Sequence, residues 1–225
     1  RCLLVGEESL VVQCAVMLRT AGVPVVGIAS AAADVRSMAV NEGFETVDTG
    51  DTSLVEAIGA SDASVLISAA HLEMIPDVAL DAVDLALNFH DGPLPAYAGL
   101  NVTSWAIHNG ESTHAVNWHL MERTADTGAV LASETFAIHD DETAFTLNAR
   151  CYEHGVRAFE SVVAMLASGE VTTTAQPAGD RRQYLRAERP FLVLDPAADA
   201  GEQVRTARAL DLGDRIANGV GAVSY

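Results

Sequence analysis

Short apolar runs punctuate the chain at 2–5, 23–29, 65–68 and 85–89, with a shorter one around Val47. Between them, apolar residues fall at helical spacing. Leu10, Cys14, Met17 and Leu18 lie on one face of a first helix that Gly22 stops and Ser9 is placed to cap. Further helices are expected over 34–41, ended by Gly43, over 54–58, and as a turn plus helix over 74–82 with Pro76 in its first turn. Strands alternating with helices predict an α/β protein with a Rossmann-like, doubly wound and mainly parallel sheet. Beyond it, 103–109 reads as a helix closed by Gly110, and 115–121 and 130–137 as strands of a hairpin around 122–128. Residues 143–167 form a long amphipathic segment carrying Leu147, Cys151, Val156, Phe159, Val162, Val163 and Leu166, expected to cross the back of the sheet. Asp140, Asp141 and Glu142 precede it, where carboxylates suit the helix dipole.

From Thr172 the pattern turns polar. Residues 176–182 read as a linker with basic residues, and 183–194 and 203–212 as a small appended unit. The expected organisation is a main domain over 1–171 and a linker with a small C-terminal subdomain over 172–225.

Composition sharpens this reading. Half the residues are hydrophobic (49%) but only 5% are aromatic, so the core should be aliphatic. The formal charge is −18, from 31 acidic and 13 basic residues, a surface that repels phosphate backbones and argues against a nucleic-acid partner. Cys2, Cys14 and Cys151 are scattered and sit in apolar runs, as buried free thiols of a reducing compartment would. There is no apolar run long enough to span a membrane and no visible leader, so a cytoplasmic location is expected. The chain lacks an initiator Met, which suggests a piece of a longer polypeptide.

The chemistry concentrates in NFHDGPLPAYAG, Asn88 to Gly99, directly after an apolar run. Asn88 and His90 alternate along the expected strand and so share a side. An amide N–H and a protonated imidazole there could stabilise an oxyanion during acyl transfer. Alone, the pair reads more readily as an Asn88 turn cap and a partly buried His90. Asp126, in the ADTG of a loop, could fix an imidazole's orientation and proton, although Asp, Thr and Gly are also ordinary turn residues. Gly6-Glu7-Glu8-Ser9 occupies a turn where phosphates often bind, but two glutamates oppose that, and no GxGxxG follows, so NAD is not expected. His114 and His119 fall on opposite faces of a strand, no Cys/His cluster has zinc spacing, and no metal is expected. His71, Tyr97 and Trp105 flank the candidate site, with packing the default role for the two aromatics.

With these motifs in hand, the chain resembles the folate-dependent formyltransferases, a family that includes glycinamide ribonucleotide, methionyl-tRNA and amino-sugar formyltransferases. The wording HDGPLPAYAGLN followed by TSWA is most similar to the formylation domains of nonribosomal peptide synthetases. The resemblance implies the formyltransferase fold, with Asn88, His90 and Asp126 as catalytic residues and 10-formyltetrahydrofolate as formyl donor. It places the pterin among Met74, Ile75, Leu80, Leu87, Thr124 and Ala125, with His71 nearby. It also implies an acceptor amine on an aminoacyl carrier protein, with that carrier or adjoining synthetase domains as partners; an amino sugar or small molecule is the alternative. A module that binds folate or a carrier protein without turnover is the rival from another class. Where the small-molecule and tRNA enzymes read HPSLLP, this chain reads HDGPLP, and Asp91 disfavours a phosphorylated acceptor.

Overall fold

A computed structural model describes residues 1–185, 188 and 195–213. In chain order the elements are β1 (Cys2–Val5), α1 (Ser9–Thr20), β2 (Val25–Ser30), α2 (Ala33–Asn41), β3 (Thr46–Asp48), α3 (Leu54–Ala60), β4 (Val65–Ser68), α4 (Asp77–Leu80), β5 (Leu85–His90), β6 (Ala98–Gly99) and α5 (Val102–Asn109). Then come β7 (Thr113–Leu120), β8 (Val130–Ala137), α6 (Ala144–Ser168), β9 (Gln183–Tyr184) and α7 (Ala200–Leu210).

The main sheet has seven strands in the order β3-β2-β1-β4-β5-β7-β8. The first five pair in parallel, and β7 and β8 add an antiparallel edge. Apolar residues cover both faces because parallel strands are buried on both sides. In β1, Cys2 and Leu4 enter one core with α1 and α6, whereas Leu3 and Val5 enter a second with Ile58, Ile75 and Ala79.

The strand that carries the candidate chemistry is pinned from behind. Phe89 of β5 packs against Trp118 at 5.3 Å between ring centroids, and Trp118 packs on Phe159 at 4.5 Å. Trp118 Nε1 donates to the Gly155 carbonyl at 2.9 Å. A Cβ at Gly155 would lie 2.5 Å from Phe89, so a glycine in the middle of α6 is what lets the helix press onto β5.

Three expectations change in detail. Ser9 is the first residue of α1, and Glu8 occupies the N-cap without a side-chain cap bond. Pro76 is the N-cap of α4 and lies outside its first turn. α6 starts on a capping box of Thr143 and Thr146. Glu142 does not serve the dipole: it is buried, accepts from the His139 amide and pairs with Arg150 at 2.7 Å.

The polar stretch after α6 returns to the main body. Thr174 bridges Val130, β9 pairs with β6, and Tyr184 is buried in the larger core against Tyr97 and Trp105. Of the expected appended unit, residues 186–187, 189–194 and 214–225 lie outside the described residues.

Candidate active site

β5 ends at His90, and the antiparallel register with β7 sets Asn88 opposite His119 and His90 opposite Asn117. Alternation turns Leu87 and Phe89 into the larger core and leaves Asn88 and His90 facing a cleft of about 1360 Å³. That cleft lies outside the carboxyl ends of the parallel strands, where ligands of open α/β sheets bind.

His90 is buried, and its Nε2 lies 2.6 Å from the Tyr97 carbonyl. A carbonyl only accepts, so Nε2 carries the proton and Nδ1 points toward Asp126 Oδ1, 3.6 Å away. Gly92 makes this fold-back possible: a Cβ there would sit 2.8 Å from the Tyr97 carbonyl oxygen and 3.1 Å from His90 Nε2.

Asp126 sits in the loop between β7 and β8 with φ +56°, a left-handed conformation rare outside glycine, asparagine and aspartate. Its Oδ2 accepts the Gly99 amide at 2.8 Å, and its Oδ1 lies 3.5 Å from His119 Nε2. Burial pushes the Asp126 carboxyl up. His90, the His119 contact and the Gly99 amide outweigh burial and hold it well below the usual carboxylate range. The carboxylate is therefore ionised and available to hold a proton on either imidazole.

His119 belongs to this cluster, and sequence reasoning considered it only as a metal ligand. Its Nδ1 donates to the Leu120 carbonyl at 2.7 Å, which leaves Nε2 facing Asn88 Nδ2 at 3.3 Å and Asp126. Only the cross-strand register discloses this. His114, on the opposite face of β7, donates to the Asp91 carbonyl at 2.7 Å away from the cluster. Among the described residues, no group of three or more His, Cys, Asp or Glu side chains is arranged to hold a metal.

Of the residues expected around a pterin, Met74, Ile75, Leu80 and Ala125 line the cleft, and so does His71, paired with Glu7 at 2.9 Å. Leu87 does not: the alternation that exposes Asn88 buries Leu87 fully behind the strand. Thr124 is also off the wall, exposed on the loop surface with its carbonyl accepting the Thr127 hydroxyl at 2.8 Å. Tyr97 and Trp105 are buried packing residues around Tyr184. Asp91 lines the cleft and accepts from Asn148 Nδ2 at 3.3 Å. Glu7, Glu8, Glu73 and Glu122 line it as well, and none of the described lining residues is an arginine or lysine.

The open α/β sheet thus gathers an amide, two imidazoles and an ionised carboxylate at its strand ends. Residues 5–163 match the formyl transferase family. The chain belongs to that family. It is 32% identical over 155 residues to GDP-perosamine N-formyltransferase of Brucella melitensis, an alignment covering 68% of this chain and 59% of the relative. It is 31% identical over 127 residues to methionyl-tRNA formyltransferase of a Synechococcus species, covering 56% of this chain and 39% of the relative. The alignments thus span less than two thirds of the length of either relative. In fold it is similar to an N-formyltransferase from Helicobacter canadensis solved with folinic acid and dTDP-3-aminofucose, with a TM-score of 0.75 at 15% identity, covering 92% of this chain and 79% of that one.

Proposed function

We propose that the chain transfers a formyl group from 10-formyltetrahydrofolate to a primary amine. The observation that carries this reading is the cluster of half-buried Asn88 with buried His90, His119 and Asp126 at the strand ends of a formyl transferase family member. The cleft suits the donor: Met74, Ile75 and Leu80 offer an apolar wall for a flat ring, with polar groups at its base.

The amine nitrogen attacks the formyl carbon, and negative charge develops on the formyl oxygen. Asn88 Nδ2 and a proton on His90 Nδ1 donate to that oxygen. The Asp126 carboxylate keeps the His90 proton in place and orients the solvent that takes up the proton the amine sheds. The bond to the folate nitrogen then breaks, that nitrogen takes up a proton, and the product is a formamide. Preorganised donors of this kind lower the barrier because they need no reorientation as charge develops.

A sugar amine is the acceptor that the relatives favour, since GDP-perosamine N-formyltransferase matches over most of this chain. The synthetase-like wording noted in the sequence finds no support in these relatives. One observation still favours an aminoacyl group tethered to a carrier protein. The described cleft wall is acidic and holds no arginine or lysine, whereas a nucleoside diphosphate calls for such side chains. Both readings are separated by offering 10-formyltetrahydrofolate with GDP- and dTDP-linked amino sugars and, in parallel, with aminoacyl carrier proteins. Formylation of a nucleotide sugar establishes the first acceptor; formylation of a loaded carrier only, the second. Tetrahydrofolate release with neither, and no folate binding, refutes the proposed activity. Among the described residues no helix is long and apolar enough to cross a membrane.

A further inference from the structure

The catalytic carboxylate depends on chain that lies beyond the last helix of the main unit. Asp126, Ala125 and Gly128 occupy a loop whose carbonyls find their partners in the polar segment after α6. Gln176 Nε2 donates to the Asp126 carbonyl and to the Gly128 carbonyl, each at 2.9 Å. Arg181 donates through Nη1 to the Asp126 carbonyl at 3.1 Å and through Nη2 to the Ala125 carbonyl at 2.8 Å. Four hydrogen bonds from two side chains therefore hold a three-carbonyl arc centred on a residue in the left-handed region.

The same segment also sets the carboxylate's side-chain partner. Val130 and Thr174 exchange backbone hydrogen bonds at 2.8 Å just past the loop. Further on, β9 pairs with β6, and the Ala98 amide donates to the Arg182 carbonyl at 3.0 Å. That pairing fixes Gly99, whose amide donates to Asp126 Oδ2. At Gly99, φ +96°, a Cβ would lie 2.2 Å from the Tyr184 carbonyl oxygen, so the close approach of the segment requires glycine there.

We propose that Gln176 and Arg181 are positioning residues of the active site, a clasp that holds the Asp126 backbone so that its carboxylate faces His90 and His119. The inference rests on the formyl-transfer reading for its catalytic readout, but the clasp itself is read on Asp126 directly. Without the clasp the loop keeps its hairpin but loses what holds Asp126 in its left-handed conformation, and the carboxylate drifts from the imidazoles. The groups facing that carboxylate are His90 from β5 and His119 from β7. Glu122 lies on the same loop, and the Arg181 guanidinium faces the carbonyl side.

The test compares Arg181→Ala, Gln176→Ala and the double variant with wild type and with Arg182→Ala. Arg182 stacks over Tyr184 at 4.5 Å and Trp105 at 5.5 Å and gives no side-chain bond to the Asp126 loop, so it controls for loosening of the segment. The readouts are kcat and KM for formyl transfer, melting temperature, and the carbon-13 carboxyl titration of Asp126. The double variant is expected to lose about 10²-fold in kcat, as a displacement near 1 Å costs. KM for the donor should stay within about threefold, and the Asp126 carboxyl should titrate upward toward its ordinary value. Arg182→Ala should lower the melting temperature and leave that titration in place. Wild-type kcat and an unshifted carboxyl titration in the double variant overturn the clasp, as does an equal upward shift in Arg182→Ala. If the wild-type protein transfers formyl to no acceptor, the proposed function fails, and the carboxyl titration still decides the clasp.

Discussion

Gly128→Ala puts the geometry of the Asp126 loop to a direct test. A Cβ at Gly128 would lie 1.9 Å from the Leu120 carbonyl oxygen and 2.7 Å from its carbon. Real Cβ contacts essentially never come closer than 3.0 Å, so the two backbones must part by about 1.1 Å. Neither side is a flexible chain end. Leu120 closes β7, its amide donates to the Ala129 carbonyl at 2.9 Å, and its carbonyl is the atom on which His119 Nδ1 rests at 2.7 Å. Gly128 lies two residues from Asp126, and its own carbonyl is held by Gln176. The displacement therefore falls on the ring position of His119, on the Asp126 carboxylate, or on both. A shift of this size costs about 10²-fold in turnover, roughly 2.7 kcal/mol in barrier. The overpacking itself destabilises by about 1–3 kcal/mol, a melting shift of several degrees for a chain of this size. Single-turnover deformylation of 10-formyltetrahydrofolate with the identified acceptor, beside a thermal melt, measures both. A folded Gly128→Ala protein with turnover within twofold of wild type would refute the claim that the loop geometry sets the rate.

Other outcomes follow from single contacts. Asn88→Ala and His90→Ala should each lose about 10²–10³ in kcat, as removal of one oxyanion donor does, with folate binding by calorimetry little changed. Phe159, fully buried against Trp118, should cost about 3–5 kcal/mol on replacement by alanine, measured by urea unfolding. His114 is buried and donates through Nε2, and its Nδ1 has no hydrogen-bond partner, so burial pushes its pKa down from 6.5 despite the Asp91 carbonyl and charge. The unfolded chain then binds the extra proton first, so stability should fall as pH drops below about 6.5, and His114→Gln should flatten that limb in urea titrations. The lowered Asp126 carboxyl acts the same way at lower pH. Its stabilisation is complete above the unfolded value of about 3.9 and is lost as pH falls below it, so Asp126→Asn should lessen the acid sensitivity in that window.

Much of this architecture is legible in the chain. Apolar runs separated by helical periodicity specify a parallel α/β sheet because each strand must be covered on both faces, and the alternation of Leu3 and Leu4 into two cores is that pattern realised. Alternation along 85–90 likewise places Asn88 and His90 on one side of a strand. The same alternation buries Leu87, which the family resemblance had set against the pterin. What the chain could not disclose depends on register and on long-range packing. His119 enters the site because the antiparallel pairing of β5 and β7 sets it opposite Asn88, and one step of slip would turn it to the other face. Gly155 is a helix interruption in sequence and a seat for Phe89 in space. The polar stretch at 176–182 has the composition of a linker. Its residues find their purpose only where the fold leaves the carbonyls of Ala125, Asp126 and Gly128 without strand partners, since buried or loop-bound carbonyls take whatever donors the tertiary structure brings to them. Local pattern thus decides which residues share a strand or helix face, and tertiary packing decides which faces meet.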